Sequence, residues 1–307
     1  MKVFKTLQAV FLVSIFSVSS YGAVFKLKEV VEIKPQPNAK VWEVWIPVPY
    51  ENEVQKIKEI KISSPFSYLL TKENEYGNRF IYIKREEPLK EPVRITVTYV
   101  VVRNKFSPHP LDEKLPLRYL LSDRLVPVEK FKKLAERITA GRKTQEEKLK
   151  AIYDYVVSHM RYDKSGKGWG RGDAVWACSA KRGNCTDFHS LFIALCRAVG
   201  IPARFQIGVP VGHNGEIKGY HCWVYAYPNG RVFGIDASEA AKHPELRKYY
   251  FGHLLDNRIG FTIGRDLLLS PAQHGNRLNF LYKAYEEVDL KPARGVQTYY
   301  FVEKVEN

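Results

Sequence analysis

The chain has 307 residues, 45% of them hydrophobic and 13% aromatic, with a formal net charge of +15. That length fits two domains with full cores and excludes a single small domain or a disordered chain. Its 48 Lys and Arg are scattered rather than clustered, which argues against nucleic acid and suits anionic partners such as envelope polymers or acidic proteins.

Lys2 and Lys5 precede an apolar run from Leu7 to Val18, and Ser20, Gly22 and Ala23 offer small residues for cleavage. This is the layout of a secretory signal peptide over residues 1–22. The chain is therefore expected to be exported, periplasmic or extracellular, and soluble after the leader is cut. The run is shorter than the ~20 apolar residues a membrane span needs.

Residues 23–104 read as all-β. "VWEVWIPVP" (41–49), "RFIYIK" (79–84) and "VRITVTYVVV" (93–102) are β-branched and aromatic runs, and Glu75-Tyr76-Gly77-Asn78 reads as a turn. Residues 54–62 fit helix or strand equally well. A small β-sandwich is expected, followed by a proline-rich linker over 105–126 and a second domain over 127–307.

In that second part a helix is predicted near 128–139, with Phe131, Leu134, Ala135 and Ile138 facing inward. Thr144 and Glu147 form a capping-box pattern that starts another helix. Residues 163–174 are rich in glycine and charge and read as a loop. Cys185 follows Gly183-Asn184 and opens a third helix, with Phe188, Leu191, Phe192, Leu195 and Val199 on one stripe. It ends at Gly200-Ile201-Pro202. A thiol at a helix N-terminus sees a partial positive charge of ~0.5 e, which favours the reactive thiolate.

Strands are predicted near 203–211, 219–227 and 231–235, the last two joined around Pro228-Asn229-Gly230, a hairpin signal. A two-residue turn at 229–230 places Asp236 opposite Trp223. His221 then lies on the same face, a diagonal neighbour ~7–8 Å away at the backbone. A three-residue loop would reverse the parity. Cys185, His221 and Asp236 together are a minimum set for thiol catalysis: nucleophile, general base and orienting carboxylate.

"RGNCTDFHSLFIALCRAVGIPAR" (182–204), "HCWVYAY" (221–227) and "GIDAS" (234–238) resemble the three motifs of the transglutaminase-like superfamily, a papain-like cysteine fold. The resemblance covers roughly 127–275. The leading β domain and the tail with Arg258, Gly264-Arg265-Asp266 and "LLLSPAQHGNRLNF" are similar to exported bacterial members. It implies an α+β class, with a papain-like/transglutaminase-like core preceded by an all-β sandwich. It also matches Cys185 to the nucleophile, His221 to the base and Asp236 to the orienting group. For the oxyanion the Cys185 backbone N–H is the natural first donor, with Trp176 and Trp169 as candidates for a second. Cys222 stands where small apolar residues are usual.

The implied chemistry is acyl transfer at an amide through a thioester on Cys185. Water as acceptor gives a peptidase or amidase; a lysine amine gives a protein-glutamine transglutaminase. Hydrolysis is favoured because no water-excluding acceptor tunnel is legible. A non-catalytic envelope-binding module is the third reading. The expected substrate is a protein, peptide or peptidoglycan-derived amide.

The remaining candidates carry blander expectations. The cysteines at 178, 185, 196 and 222 crowd one window, unlike a disulfide-stapled protein. Cys196 is expected to pack, and Cys178 with Cys222 is the one pairing to weigh. A zinc site from Cys178, Cys185, His189, His221 and Cys222 lacks any C-x2–4-C pair. His189 and Asp187 are expected to bond locally around the helix start. Arg182, Arg265 and Tyr249-Tyr250-Phe251 are expected to pack or line a groove. His159, His213, His243, His253 and His274 belong to no visible constellation, so surface or structural roles are expected. No cofactor or metal is required, and no calcium loop is legible.

Overall fold

The computed structural model describes residues 22–112 and 114–305; the expected leader, Gly22 apart, lies outside them. The N-terminal strand Ala23–Ile33 buries Phe25, Leu27, Val31 and Ile33 while Lys26 and Lys28 stay in water. That alternation makes one face of a sheet. The first sheet runs in the order Gly215–Ile217, Val296–Val305, Ala23–Ile33, Val93–Arg103, Gln55–Ser63. The second runs Lys291–Pro292, Tyr285–Val288, Trp42–Val48, Arg79–Arg85, Leu69–Lys72. Their inner faces share one apolar core, to which Val97, Trp42, Val44 and Ile81 contribute. The ambiguous 54–62 segment is strand.

Two boundaries differ from the sequence reading. Residues 285–305, expected in the second domain, complete the sandwich: Val296–Val305 pairs with residues 24–33, and Tyr285–Val288 with residues 42–45. Without them both sheets would end in bare edges, which folded proteins cover. The 105–126 segment is also no free spacer. It buries Phe106 and Tyr119 in the second core, and His109–Pro110 pairs with Arg231–Ile235.

The second core is built on a third sheet, ordered Phe251–Gly252, Arg231–Ile235, His221–Ala226, Ala203–Pro210, Arg258–Ile263. Its helices are α1 (Lys132–Ile138), α2 (Gln145–His159), α3 (Ala174–Ala180), α4 (Cys185–Ala198) and α5 (Ala237–Lys242). The capping box of α2 is present: Glu147 N–H donates to Thr144 Oγ1 at 3.1 Å, and Thr144 N–H to Glu147 Oε2 at 3.0 Å. Helix α3 went unpredicted because seven residues are too few to show a period. Helix α4 departs from its expected single stripe, since every residue from Cys185 to Arg197 is buried. A helix enclosed on all sides is the centre of its domain. Among the described residues no helix is long and apolar enough to cross a membrane.

Candidate active site

The thiol is placed by an unusually tied helix start. Asn184 caps α4, its Oδ1 accepting from Thr186 N–H at 3.0 Å. Asp187 folds back to accept from the backbone N–H groups of Asn184 (3.0 Å), Gly170 (2.7 Å) and Gly172 (3.0 Å). One buried carboxylate thus fixes both the α4 entry and the preceding loop. A Cβ on Gly183, whose φ is +149°, would collide with that carboxylate. The glycine of the "GNC" run has a steric reason.

His221 and Asp236 come from the hairpin, in the predicted register. Val224 pairs with Ile235, Tyr225 with Gly234 and Ala226 with Phe233. Asn229 (φ 47°) and Gly230 (φ 70°) take the left-handed conformations such a turn demands. His221 Nε2–H donates to Asp236 Oδ2 at 2.7 Å. The other ring nitrogen, Nδ1, is left for Cys185, whose thiol interacts with the imidazole. Cys185 is only 2% exposed and His221 is partly buried.

Asp236 has further partners. Arg258 Nη1 donates to the same Oδ2 at 2.6 Å, both side chains being buried. Oδ1 accepts from Ser238 Oγ–H and from Glu239 N–H, each at 3.0 Å, so the carboxylate also caps α5. Burial works against its charge, yet the cations of His221 and Arg258 hold its carboxyl well below the usual range. For His221 burial disfavours the imidazolium, but the Asp236 charge and hydrogen bond, with that to Cys185, raise it to about 9. Burial would likewise raise the Cys185 thiol. Hydrogen bonds from Cys222 and His221, then the imidazolium charge, bring it down to about 5. Near neutral pH the arrangement is a thiolate–imidazolium pair.

Three further residues, which sequence reasoning did not group with Cys185, His221 and Asp236, pack around them. His189 is fully buried and pushed down to about 4, mainly by burial, so it is neutral. Its Nε2 accepts from Ala237 N–H at 3.1 Å; the proton therefore sits on Nδ1, which donates to Cys222 Sγ at 3.3 Å. Burial and the neighbouring Cys185 charge push the Cys222 thiol up, so it remains a donor to the thiolate. Tyr220 is the third. Its hydroxyl accepts from Asn184 Nδ2 at 2.7 Å, and burial, then the charge on Cys185, raises the phenol. Its position directly before His221 was the only available signal. All four cysteines are free, Cys178 and Cys222 included.

The two tryptophans carry cations: Arg182 lies 5.7 Å from the Trp176 ring and Lys164 6.0 Å from that of Trp169. Arg265 is buried and spans the domain, donating to Gly172 O at 2.8 Å and to Ser190 of α4. A cavity of about 640 Å³ lined by Tyr50, Arg79, His109, Arg204 and Tyr227 touches none of Cys185, His221 and Asp236.

Residues 132–236, from α1 to the carboxylate, match the model of the transglutaminase-like superfamily and form a transglutaminase-like core in an α+β fold. The chain is similar to an uncharacterized protein of Haemophilus influenzae, 24% identical over 81% of each chain. It is 28% identical to the uncharacterized YebA of Bacillus subtilis over 36% of this chain and 18% of that one. A crystal structure from Cytophaga hutchinsonii, of a protein suggested to be a cysteine protease, superposes with a TM-score of 0.63. That match has 18% identity and covers 94% of this chain and 92% of the other, so the sandwich and the core share its fold.

Proposed function

We propose that the protein is an exported cysteine enzyme that acts on amide bonds through an acyl-enzyme on Cys185, with water as the usual acceptor. The observation that carries this is the buried line of contacts Cys185–His221–Asp236, closed by Arg258. The thiolate attacks the amide carbon, and the Nδ1 proton of His221 passes to the departing amine. A thioester and a neutral imidazole remain. The imidazole then takes a proton from water, whose oxygen attacks the thioester carbon; a carboxylic acid leaves and the ion pair is restored. Asp236 keeps Nε2 protonated throughout, which leaves Nδ1 to shuttle the proton.

For the oxyanion, the Cys185 N–H at the start of α4 is the first donor. Tyr220 fits the second place better than Trp176 or Trp169. It stays protonated, accepts from Asn184, and its own proton has only a 3.5 Å contact with Thr186.

The test is incubation with envelope protein and peptidoglycan fragments, with and without an amine donor. Cleaved fragments that vanish with Cys185→Ala support the hydrolase. Ammonia release with incorporated amine would move the assignment to a transglutaminase. A thiol inert toward electrophiles near neutral pH would leave a binding module.

A further inference from the structure

Far from the cysteine, strands Trp42–Val48 and Tyr285–Val288 place Glu43 directly opposite Glu287. Glu43 is 4% exposed and Glu287 0%. Two like charges facing each other across neighbouring strands, out of water, repel unless a cation lies between them. His274, which the sequence left to a surface or structural role, reaches this pair. Its Nδ1 lies 2.9 Å from Glu287 Oε2 and 3.4 Å from Glu43 Oε2.

We propose that Glu43, Glu287 and His274 form a binding site for a divalent first-row metal ion of the zinc type. The three ligand atoms lie within 4.8 Å of one another. With metal–ligand bonds of about 2.0–2.2 Å, neighbouring ligands stand about 2.8–3.6 Å apart in octahedral or tetrahedral sites, which brackets both imidazole separations. The ion takes the place of the Nδ1 proton. The imidazole is 43% exposed, so water can complete the shell.

A second observation points the same way. Glu43 Oε2, on a side chain more than nine-tenths buried, accepts no hydrogen bond and is aimed at the cluster. Such an atom is costly unless something occupies it. The outer oxygens, by contrast, are held: Tyr82 O–H donates to Glu43 Oε1 at 2.5 Å, and Tyr285 O–H to Glu287 Oε1 at 2.7 Å. The rings of Tyr82 and Tyr285 pack on Trp45, at 5.2 Å and 5.8 Å. Fixed outer oxygens beside the unpartnered inner oxygen of Glu43 are what an outer shell does for metal ligands.

Glu287 also accepts from the backbone N–H groups of His274 (2.9 Å) and Gly275 (2.8 Å). Lys84 pairs with Glu43 in register but has its amine on Glu86 at 3.0 Å. Occupation would clasp the 271–276 loop to the sandwich. That loop lies in the same connection as Phe280 and Tyr282, which pack on Tyr220 beside the thiol at 6.0 Å and 4.9 Å.

The test uses the full chain with its thiols alkylated, so that Cys185 and Cys222 cannot take up the ion. Equilibrium dialysis against Zn²⁺ should give one ion per chain at micromolar concentration, and Co²⁺ should give a visible absorption band. Glu43→Gln with His274→Ala should weaken binding by more than about 100-fold. Tyr82→Phe, which keeps the ring, should weaken it by about 10–100-fold. Cys185 labelling in the unalkylated double variant should be unchanged. Binding absent below millimolar Zn²⁺ would overturn the proposal and leave His274 hydrogen-bonded to Glu287 alone. Stoichiometric binding that survives the double substitution would overturn it too, by placing the ion elsewhere.

Discussion

The sandwich and the cleft each bury a carboxyl group, and they hold it in opposite states. Glu29 lies inside the sandwich, its oxygens met by hydroxyls of Tyr99 and Tyr300, each at 3.0 Å. Burial pushes it up to about 8, so it carries its proton through most of the neutral range. Asp236 is buried as deeply, yet His221 and Arg258 keep it ionised. Depth alone therefore does not set protonation. A hydroxyl lends part of a charge, whereas a guanidinium lends a whole one, and in a low-dielectric interior that difference decides.

The largest effect should come from cancelling the cleft's charge. Asp236→Asn leaves His221 without the group that raises it and favours the wrong tautomer. Amide turnover should fall by about 10⁴-fold, the size seen when an orienting carboxylate is lost elsewhere. Retained turnover would mean that the carboxylate is ornamental. Next comes Arg258→Met, which leaves the buried Asp236 charge with His221 as its remaining hydrogen-bonded cation. Denaturant unfolding should show a loss of about 3–5 kcal/mol, as for other broken buried pairs.

Glu29→Gln probes the other half of the contrast. Because the folded carboxyl binds its proton more tightly than the unfolded one, wild-type stability is full at low pH. It should decline between about pH 4.5 and about pH 8, by up to about 1.4 kcal/mol per pH unit. The amide cannot titrate, so the variant's stability profile should be flatter over that range. The smallest effect is expected from Cys222→Ala, which removes one donor to the thiolate. The pH midpoint of Cys185 labelling should move upward, with the triad otherwise working.

The convergence of Cys185, His221 and Asp236, the proposed triad, was legible because each of the three left a local mark. Gly183-Asn184 announces a helix start beneath Cys185, and Asn229-Gly230 fixes the register that brings Asp236 to His221. Arg258 left none: it reaches Asp236 from the far edge strand of the sheet, a pairing with no short-range signal, although its segment had been matched to a family tail. His189 read as a local bond around its helix start and Cys222 as half of the one disulfide to weigh, with zinc as the alternative for both, and only the Ala237 N–H settles the tautomer that links them. Strand ownership was hidden for a similar reason. Nothing in residues 285–305 says that their partners lie at the opposite end of the chain, since alternation reveals a strand but not its neighbour.

The pH dependence of Cys185 alkylation by iodoacetamide is the most direct probe of the ion pair. The rate should rise through about pH 5 and hold a plateau through neutrality, with His221 losing its proton near 9. A rate that stays negligible at pH 6–7 and climbs only near the ~8.5 of an ordinary thiol would contradict the account.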